Sequence, residues 1–486
     1  MRIVIFGIGR CYQRLRFWLE RLEIVAFIDN DPAKQGNGIY AHKVYAPARI
    51  TNLDFSFVFV LGKYKDQMRR ELMSLGVSCS QILTEDDLER VLKAEFGIVE
   101  PEILWPVGYD GDADNSNILQ IDRRNILLFS HDLSLTGAPV ALLNVAKVLQ
   151  RLGYAVVVAT GAVTAHDLHC EYALLGIPVV YDFRVQKLSF KELQWISGFD
   201  LLWVNTATLW NLFSKCCHLQ APVIWWLHEP AMIYDSLQEL SIELLEETDW
   251  GNINVYGVSE IAIRAFAERC SFPGKISKLL LGVEDFYKLK LDTYGEHVFV
   301  FALIGSICEN KGQDLFLQAI KEMPTDIRKK CQFWLIGDIG ESSYSDKIMK
   351  QAADMEEVVF YGRKSRNDLK KMLGRIDVVV VSSLEETLSL AVVEGMMNKT
   401  AVICSDESAV GVARFVREAK AGLLVPPGNV KALMQAMIWV VKHAEECTEM
   451  GKRGRCVYER YFSLDALEMR VSKIVEDTID SCKALE

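Results

Sequence analysis

The 486 residues carry no surplus of basic charge, no long apolar run and no spaced cysteine pairs, and each absence closes off a class of function. A formal net charge of -11 argues against a nucleic-acid surface, which is normally basic. No stretch of about 18 uncharged apolar residues occurs, so no transmembrane helix is expected. Met1 and Arg2 lead straight into Ile3, Val4, Ile5, Phe6 and Gly7, which reads as a first strand and not as a signal peptide, and a cytoplasmic location is expected. The twelve cysteines include no C-x-x-C pair and only Cys216 and Cys217 are adjacent, so they read as small buried hydrophobes and not as a disulfide or zinc framework. Among eight histidines only His166 and His169 lie close together, without a wider ligand set, and no metal site is expected.

Half of the residues are hydrophobic, enough for two to four packed domains. Three segments open with an apolar strand that runs into glycine and then a helix. The first covers residues 2–10, with further strands at 24–29 and 57–61, and predicts a small doubly wound α/β unit. Gly7 and Gly9, with Asp29 about twenty residues on, form a partial dinucleotide fingerprint whose third glycine is replaced by Tyr12. A nucleotide site at Gly7, Gly9 and Asp29 and a purely structural role both fit. Residues 108–117 are polar and turn-rich, a linker by composition, and the acid pairs Asp112/Asp114 and Asp29/Asp31 read as accidental.

The second opening is the strand 125–131 with Gly137 ahead of a helix at 140–152; the third is the strand 298–305 followed by Ser306 and Lys311. Between them, the buried-looking strand 222–227 ends in His228 and Glu229. A histidine there fits a satisfied structural group as well as a ligand-facing one. Strands are also expected at 333–338 and 358–363.

The densest signal is the apolar strand 376–381 running into Glu385, Glu386, Thr387, Leu388 and Ser389, with Glu394 eight residues beyond Glu386. Strand, polar loop and helix in that order place the loop at the carboxyl edge of a parallel sheet, where ligands bind in open α/β folds. The amides of Thr387, Leu388 and Ser389 at a helix start favour an anionic diphosphate. The carboxylates can accept hydroxyl hydrogen bonds, and on spacing alone they equally fit ordinary acids of a first helical turn.

Ser382, Glu386, Glu394, Gly395 and the strand after them, continued by the segment 421–429, resemble the donor-site signature of retaining glycosyltransferases of family 4. The resemblance covers roughly three-quarters of the chain and implies a GT-B architecture: two facing Rossmann-like domains, here preceded by a small additional Rossmann-like α/β domain. The implied division is 1–95 for the small domain, 96–123 linker, 124–290 acceptor domain, 291–463 donor domain and 464–486 a helix crossing back. Residues Phe27 to Asp31 and Lys34 to Gly36 are similar to the front domains of bacterial sugar-modifying enzymes.

The same resemblance implies transfer of a sugar from a nucleotide sugar, uridine diphosphate sugar foremost, to an acceptor hydroxyl in glycan or polysaccharide synthesis, with no metal or other cofactor required. Glu386 would position the donor sugar, His228 the reacting face, and Lys311 the leaving diphosphate. Gly137, Ser306, Gly362, Arg363, Thr387, Leu388, Ser389 and Glu394 would line the donor site, Glu394 at the ribose. The acceptor is a glycan, lipid-linked sugar or protein, and peripheral membrane contact stays open. The family commonly has arginine where Ser306 stands, so Lys311 carries the charge alone or Arg363 or Lys364 compensates. An epimerase, a sugar phosphorylase or a non-catalytic partner on the same frame remains an alternative.

Overall fold

The computed structural model describes residues 1–36, 38–39, 42–62, 64–96, 101–104, 118–161, 167–214, 219, 221–235, 248–287, 298–339 and 342–483. The expected linker at 108–117, His166, Cys216 and Cys217 lie outside the described residues. Packing groups the chain into two units, one of Met1–Leu143, Ala155–Phe199 and Asn211–Phe213, the other of Asn144–Tyr154, Asp200–Trp210 and Ser214–Glu486.

In the first unit, six strands run in the order Gly38–Ile39, His42–Tyr45, Glu23–Ile28, Arg2–Phe6, Phe57–Val60 and Ile82–Leu83, parallel except at the outermost Gly38–Ile39. Val4, Phe6, Ile28, Val58 and Val60 alternate along these strands and bury one face against Met68 and Leu72, the period-two pattern of a pleated sheet. Gly7 follows the first strand with φ +98°, and a Cβ there would stand 2.5 Å from the Leu61 carbonyl oxygen. Only glycine fits that turn. The same unit holds the parallel strands Asn125–Ser130, Ala155–Thr160 and Val179–Tyr181, with Glu102–Leu104 antiparallel beside the last.

In the second unit, Leu201–Asn205, Val223–Leu227, Ile253–Gly257 and Ser277–Lys278 pair in parallel. A separate parallel sheet follows in the order Val358–Gly362, Cys331–Ile336, Phe299–Ile304, Val378–Val381, Ala401–Ser405 and Gly422–Val425. Phe299, Phe301, Leu303, Phe333, Leu335, Val378, Val380 and Ile403 all face one side, packed on Phe316 and Ile320 of the helix Gln313–Glu322 and on Leu433, Met437 and Val440 of Val430–Lys442. The helix Leu390–Met397 covers the opposite face: a Cβ on Gly395 would approach Val379 Cγ2 to 3.1 Å. Helices on both faces bury the inner strands Val378–Val381 and Ala401–Ser405 throughout, which points to the loops at the strand ends for ligands.

Gly337 marks how tightly those ends meet, since a Cβ there would fall 1.9 Å from the Gly305 carbonyl oxygen. Gly337→Ala is expected to cost about 3 kcal/mol, the upper end for overpacking, read as a lowered urea midpoint with an unchanged slope.

No helix among the described residues is long and apolar enough to cross a membrane.

Candidate functional site

Two loops at the carboxyl edge of the last sheet build the site. One is the short 3-10 turn Glu309–Lys311, which precedes the helix Gln313–Glu322. Lys311 therefore sits just ahead of that helix and not on its first turn. The other loop, 382–389, leads from the strand Val378–Val381 to the helix Leu390–Met397. Asn310 fastens them: its Nδ2 donates to the Glu385 carbonyl at 2.6 Å, and its Oδ1 accepts the Glu385 amide at 2.9 Å. Ser382 Oγ donates to the Gly312 carbonyl at 2.9 Å. Gly312 takes φ +64°, and a side chain would strike the Ser382 carbonyl oxygen.

This stitching brings Lys311 Nζ to 2.7 Å from Glu386 Oε1, while Ser383 Oγ donates to Glu386 Oε2 at 2.8 Å. Both partners are largely but not wholly buried, 26% and 14% exposed, so the pair is screened less than a surface ion pair and still reachable. An ammonium has three hydrogens and Glu386 takes one of them. The amides of Thr387, Leu388 and Ser389 donate to no other group among the described residues. Ser389 is the residue before the helix, and its hydroxyl is buried without a hydrogen-bond partner among the described residues. Glu394 follows in the second turn, half-buried.

Ser306 and Gly362 flank Gly337 at the neighbouring strand ends, where Gly337 donates its amide to the Gly362 carbonyl at 3.1 Å. Ser306 and Arg363 are exposed. Lys364 lies over the Tyr361 ring, with Nζ 5.7 Å from its centroid.

His228 joins the same loop. Thr387 Oγ1 donates to the His228 carbonyl at 2.6 Å, and Glu385 Oε1 accepts the Ala231 amide at 2.9 Å. The imidazole stands edge-on to Trp226, and its Nε2 lies 2.9 Å from Asn205 Oδ1. Next to it in the chain, Glu229 is buried and its Oε2 accepts the amides of both His228 and Ala207 at 2.9 Å. Burial pushes the Glu229 carboxyl up to about 7, against the opposing pull of those amides. A raised carboxyl holds its proton in the folded state and releases it on unfolding, so its contribution to stability falls as pH rises from the ordinary carboxylate range through about 7. Urea unfolding at pH 5 and pH 8 is expected to show that loss, about 1.4 kcal/mol per unit of raised pKa, and Glu229→Gln is expected to remove it.

The remaining sequence candidates lie in the first unit. Gly137 opens the helix Gly137–Arg151 and is exposed. His131, before it, has its Nδ1 buried without a partner among the described residues, and burial holds the ring below the usual histidine range. Asp29 accepts the Ile8 amide at 3.2 Å, the Asp31 amide at 3.0 Å and Lys34 Nζ at 3.2 Å. It thereby ties the Gly7–Gly9 turn to the next strand. Tyr12, in place of a third glycine, is buried with its ring 5.1 Å from that of Phe27.

Lys311, Glu386, Thr387 and His228, all marked by the sequence, are brought together by the fold, whereas the residues that hold them were missed, apart from the signature serine Ser382. Asn310 beside Lys311, the Ser382/Ser383 doublet and Glu229 beside His228 were each visible as polar neighbours of a named residue. Asn205 gave no signal beyond ending an apolar strand.

Residues 293–457 match the family described as Glycosyl transferases group 1, residues 122–248 match Glycosyl-transferase family 4, and residues 1–83 match C2185-like, N-terminal. A D-rhamnosyltransferase of Pseudomonas aeruginosa, WbpZ, is 26% identical over 169 residues, which are 34% of this chain and 41% of that protein. A glycosyltransferase assigned as EpsD in Bacillus subtilis is 25% identical over 36% of this chain and 45% of its own length. These alignments span less than half of either relative. Anabaena HepE, solved with UDP-glucose, superposes with a TM-score of 0.60 at 17% identity, over 73% of this chain and 99% of that one. Sucrose-phosphate synthase of Thermosynechococcus elongatus gives 0.57 at 18%, over 74% of this chain and 100% of that one. At such identities the likeness is one of fold, the GT-B fold. The two glycosyltransferase segments, in sequence order and together more than half of the 486 residues, place this chain in the group 1, family 4 glycosyltransferases.

Proposed function

We propose that this protein transfers a sugar from a nucleotide-sugar donor to an acceptor hydroxyl, with retention of anomeric configuration and without a metal ion. The observation that carries the reading is the Lys311–Glu386 pair, held at a strand edge beside three amides with no other acceptor among the described residues and the orphan Ser389 hydroxyl. A diphosphate supplies the acceptors those donors lack, and a helix N-terminus favours its negative charge. The Anabaena protein was solved with UDP-glucose, which supports a uridine diphosphate sugar as donor here.

In the reaction the bond from the anomeric carbon to the diphosphate oxygen breaks and one to the acceptor oxygen forms. Lys311 and the amides of 387–389 stabilise charge growing on the leaving diphosphate. The leaving phosphate oxygen takes the acceptor's proton. Glu386 accepts from donor-sugar hydroxyls, Glu394 from the ribose, and His228 meets the reacting face. Ser306, Gly362 and Arg363 complete the donor-site assignment. The acceptor, drawn from glycan, lipid-linked and protein hydroxyls, belongs to polysaccharide or glycan synthesis, and the chain works in the cytoplasm. Gly7 and Gly9 with Asp29 fit a second, separate nucleotide site and a purely structural role alike, and the bonds from Ile8, Asp31 and Lys34 to Asp29 serve the structural one.

A panel of nucleotide sugars tests this directly. One of them is expected to raise the melting temperature in a concentration-dependent way, and the same one should yield free nucleoside diphosphate when acceptor glycans are added. Isomerised donor without acceptor, or sugar phosphate formed from inorganic phosphate, would instead identify an epimerase or a phosphorylase.

A further inference from the structure

The loop 382–389 has two sides, both within the second unit. Glu386 sits in extended backbone beside Val410, bonded through the Ala409 carbonyl and the Gly411 amide, and side chains along such a stretch alternate in direction. Glu386 meets Lys311 and Ser383 on one side, while Glu385 and Thr387 turn to the other. There they meet the segment after the strand Val223–Leu227: Thr387 Oγ1 donates to the His228 carbonyl at 2.6 Å, and Glu385 Oε1 accepts the Ala231 amide at 2.9 Å. Ala231 opens the helical turn 231–235. The first amides of a helix have no acceptor within it, and a carboxylate suits that end of the dipole. Pro230, just before the turn, has no side-chain acceptor to offer. Glu385 supplies that cap from 154 positions away.

We infer that Glu385 is a positioning residue for sugar transfer: by capping the turn after His228, it holds the His228 main chain in register with the Lys311–Glu386 pair. The consequence for transfer rests on the glycosyltransferase reading above, whereas the cap itself does not. The Glu385 backbone is held separately, by the side-chain amide of Asn310, and the Lys311–Glu386 contact lies on the loop's other side. Loss of the carboxylate therefore loosens the 228–231 segment and leaves the grip on the diphosphate in place. The signature is a fall in kcat without a fall in donor affinity.

Glu385→Gln keeps an acceptor oxygen at the same reach, and Glu385→Ala keeps none. Hydrogen–deuterium exchange of the full chain without substrate reads the cap in a peptide spanning 228–235, with the strand Phe299–Ile304 as the control for global unfolding. Glu385→Ala is expected to speed exchange at Ala231 about tenfold with the control strand unchanged, and Glu385→Gln to match wild type. Steady-state kinetics and isothermal titration with the stabilising nucleotide sugar are expected to show kcat about tenfold lower in Glu385→Ala at unchanged Kd, restored by glutamine. Unchanged exchange in Glu385→Ala, or faster exchange in both segments together, overturns the cap. Unchanged kcat despite faster exchange, an equal loss of donor affinity, or a glutamine variant as slow as alanine overturns the positioning role. A wild type that turns over no nucleotide sugar overturns the transfer reading instead, and exchange still decides the cap.

Discussion

Glu386→Ala is expected to lower kcat for sugar transfer by about 10²–10³-fold, the loss typical of removing one preorganised polar group from a transition-state site. The reason lies in what Glu386 holds. Its two oxygens engage Lys311 and Ser383 from two different loops, and its backbone is anchored separately, by the Ala409 carbonyl at 2.6 Å and the Gly411 amide at 2.9 Å. Truncation therefore removes the carboxylate without moving the chain. The melting temperature should change by only a few degrees, since a partly exposed pair contributes about 1 kcal/mol or less. Steady-state kinetics with the stabilising nucleotide sugar, set beside a thermal melt, checks both halves.

Lys311→Met is expected to cost as much or more, about 10³-fold in kcat/KM. Methionine preserves the stem that runs past Gly305, where a Cβ would sit 3.6 Å from both Lys311 Cδ and Cε, but it removes the sole cation hydrogen-bonded to Glu386 among the described residues. Glu386 would then face the incoming phosphates unpaired, and like charges repel at close range. Removing both charges should be less harmful than the two single losses combined, because contacting residues couple by about 0.5–3 kcal/mol. The double variant Lys311→Met/Glu386→Gln, carried through a full cycle of kcat/KM values, measures that coupling.

Much of the fold could be read from apolar runs. The strands Val378–Val381, Ala401–Ser405 and Phe299–Ile304 fall within a residue or two of the expected segments, because a strand buried on both faces must be apolar throughout. The site was legible where a charged residue interrupts such a pattern, as at Lys311 and Glu386. It was not legible where the working group is a small amide or hydroxyl whose partner lies far along the chain. Asn310 and Glu385 are 75 positions apart, and Asn205 and His228 are 23 apart. Their value comes from the parallel sheet, which returns each strand to the same edge. Glu229 was hidden for another reason: acids are usually exposed, and only the fold shows this one buried and accepting two amides.

The central claim is that Lys311 meets the donor's diphosphate. Isothermal titration of wild type and Lys311→Met, first with the stabilising nucleotide sugar and then with its parent nucleoside, tests it most directly. Lys311→Met is predicted to weaken the nucleotide sugar by about tenfold or more, the effect of roughly 1.4 kcal/mol of lost charge-assisted bonding, and to leave the nucleoside's affinity unchanged. Equal affinity of both proteins for the nucleotide sugar, or an equal loss for the nucleoside, would contradict it.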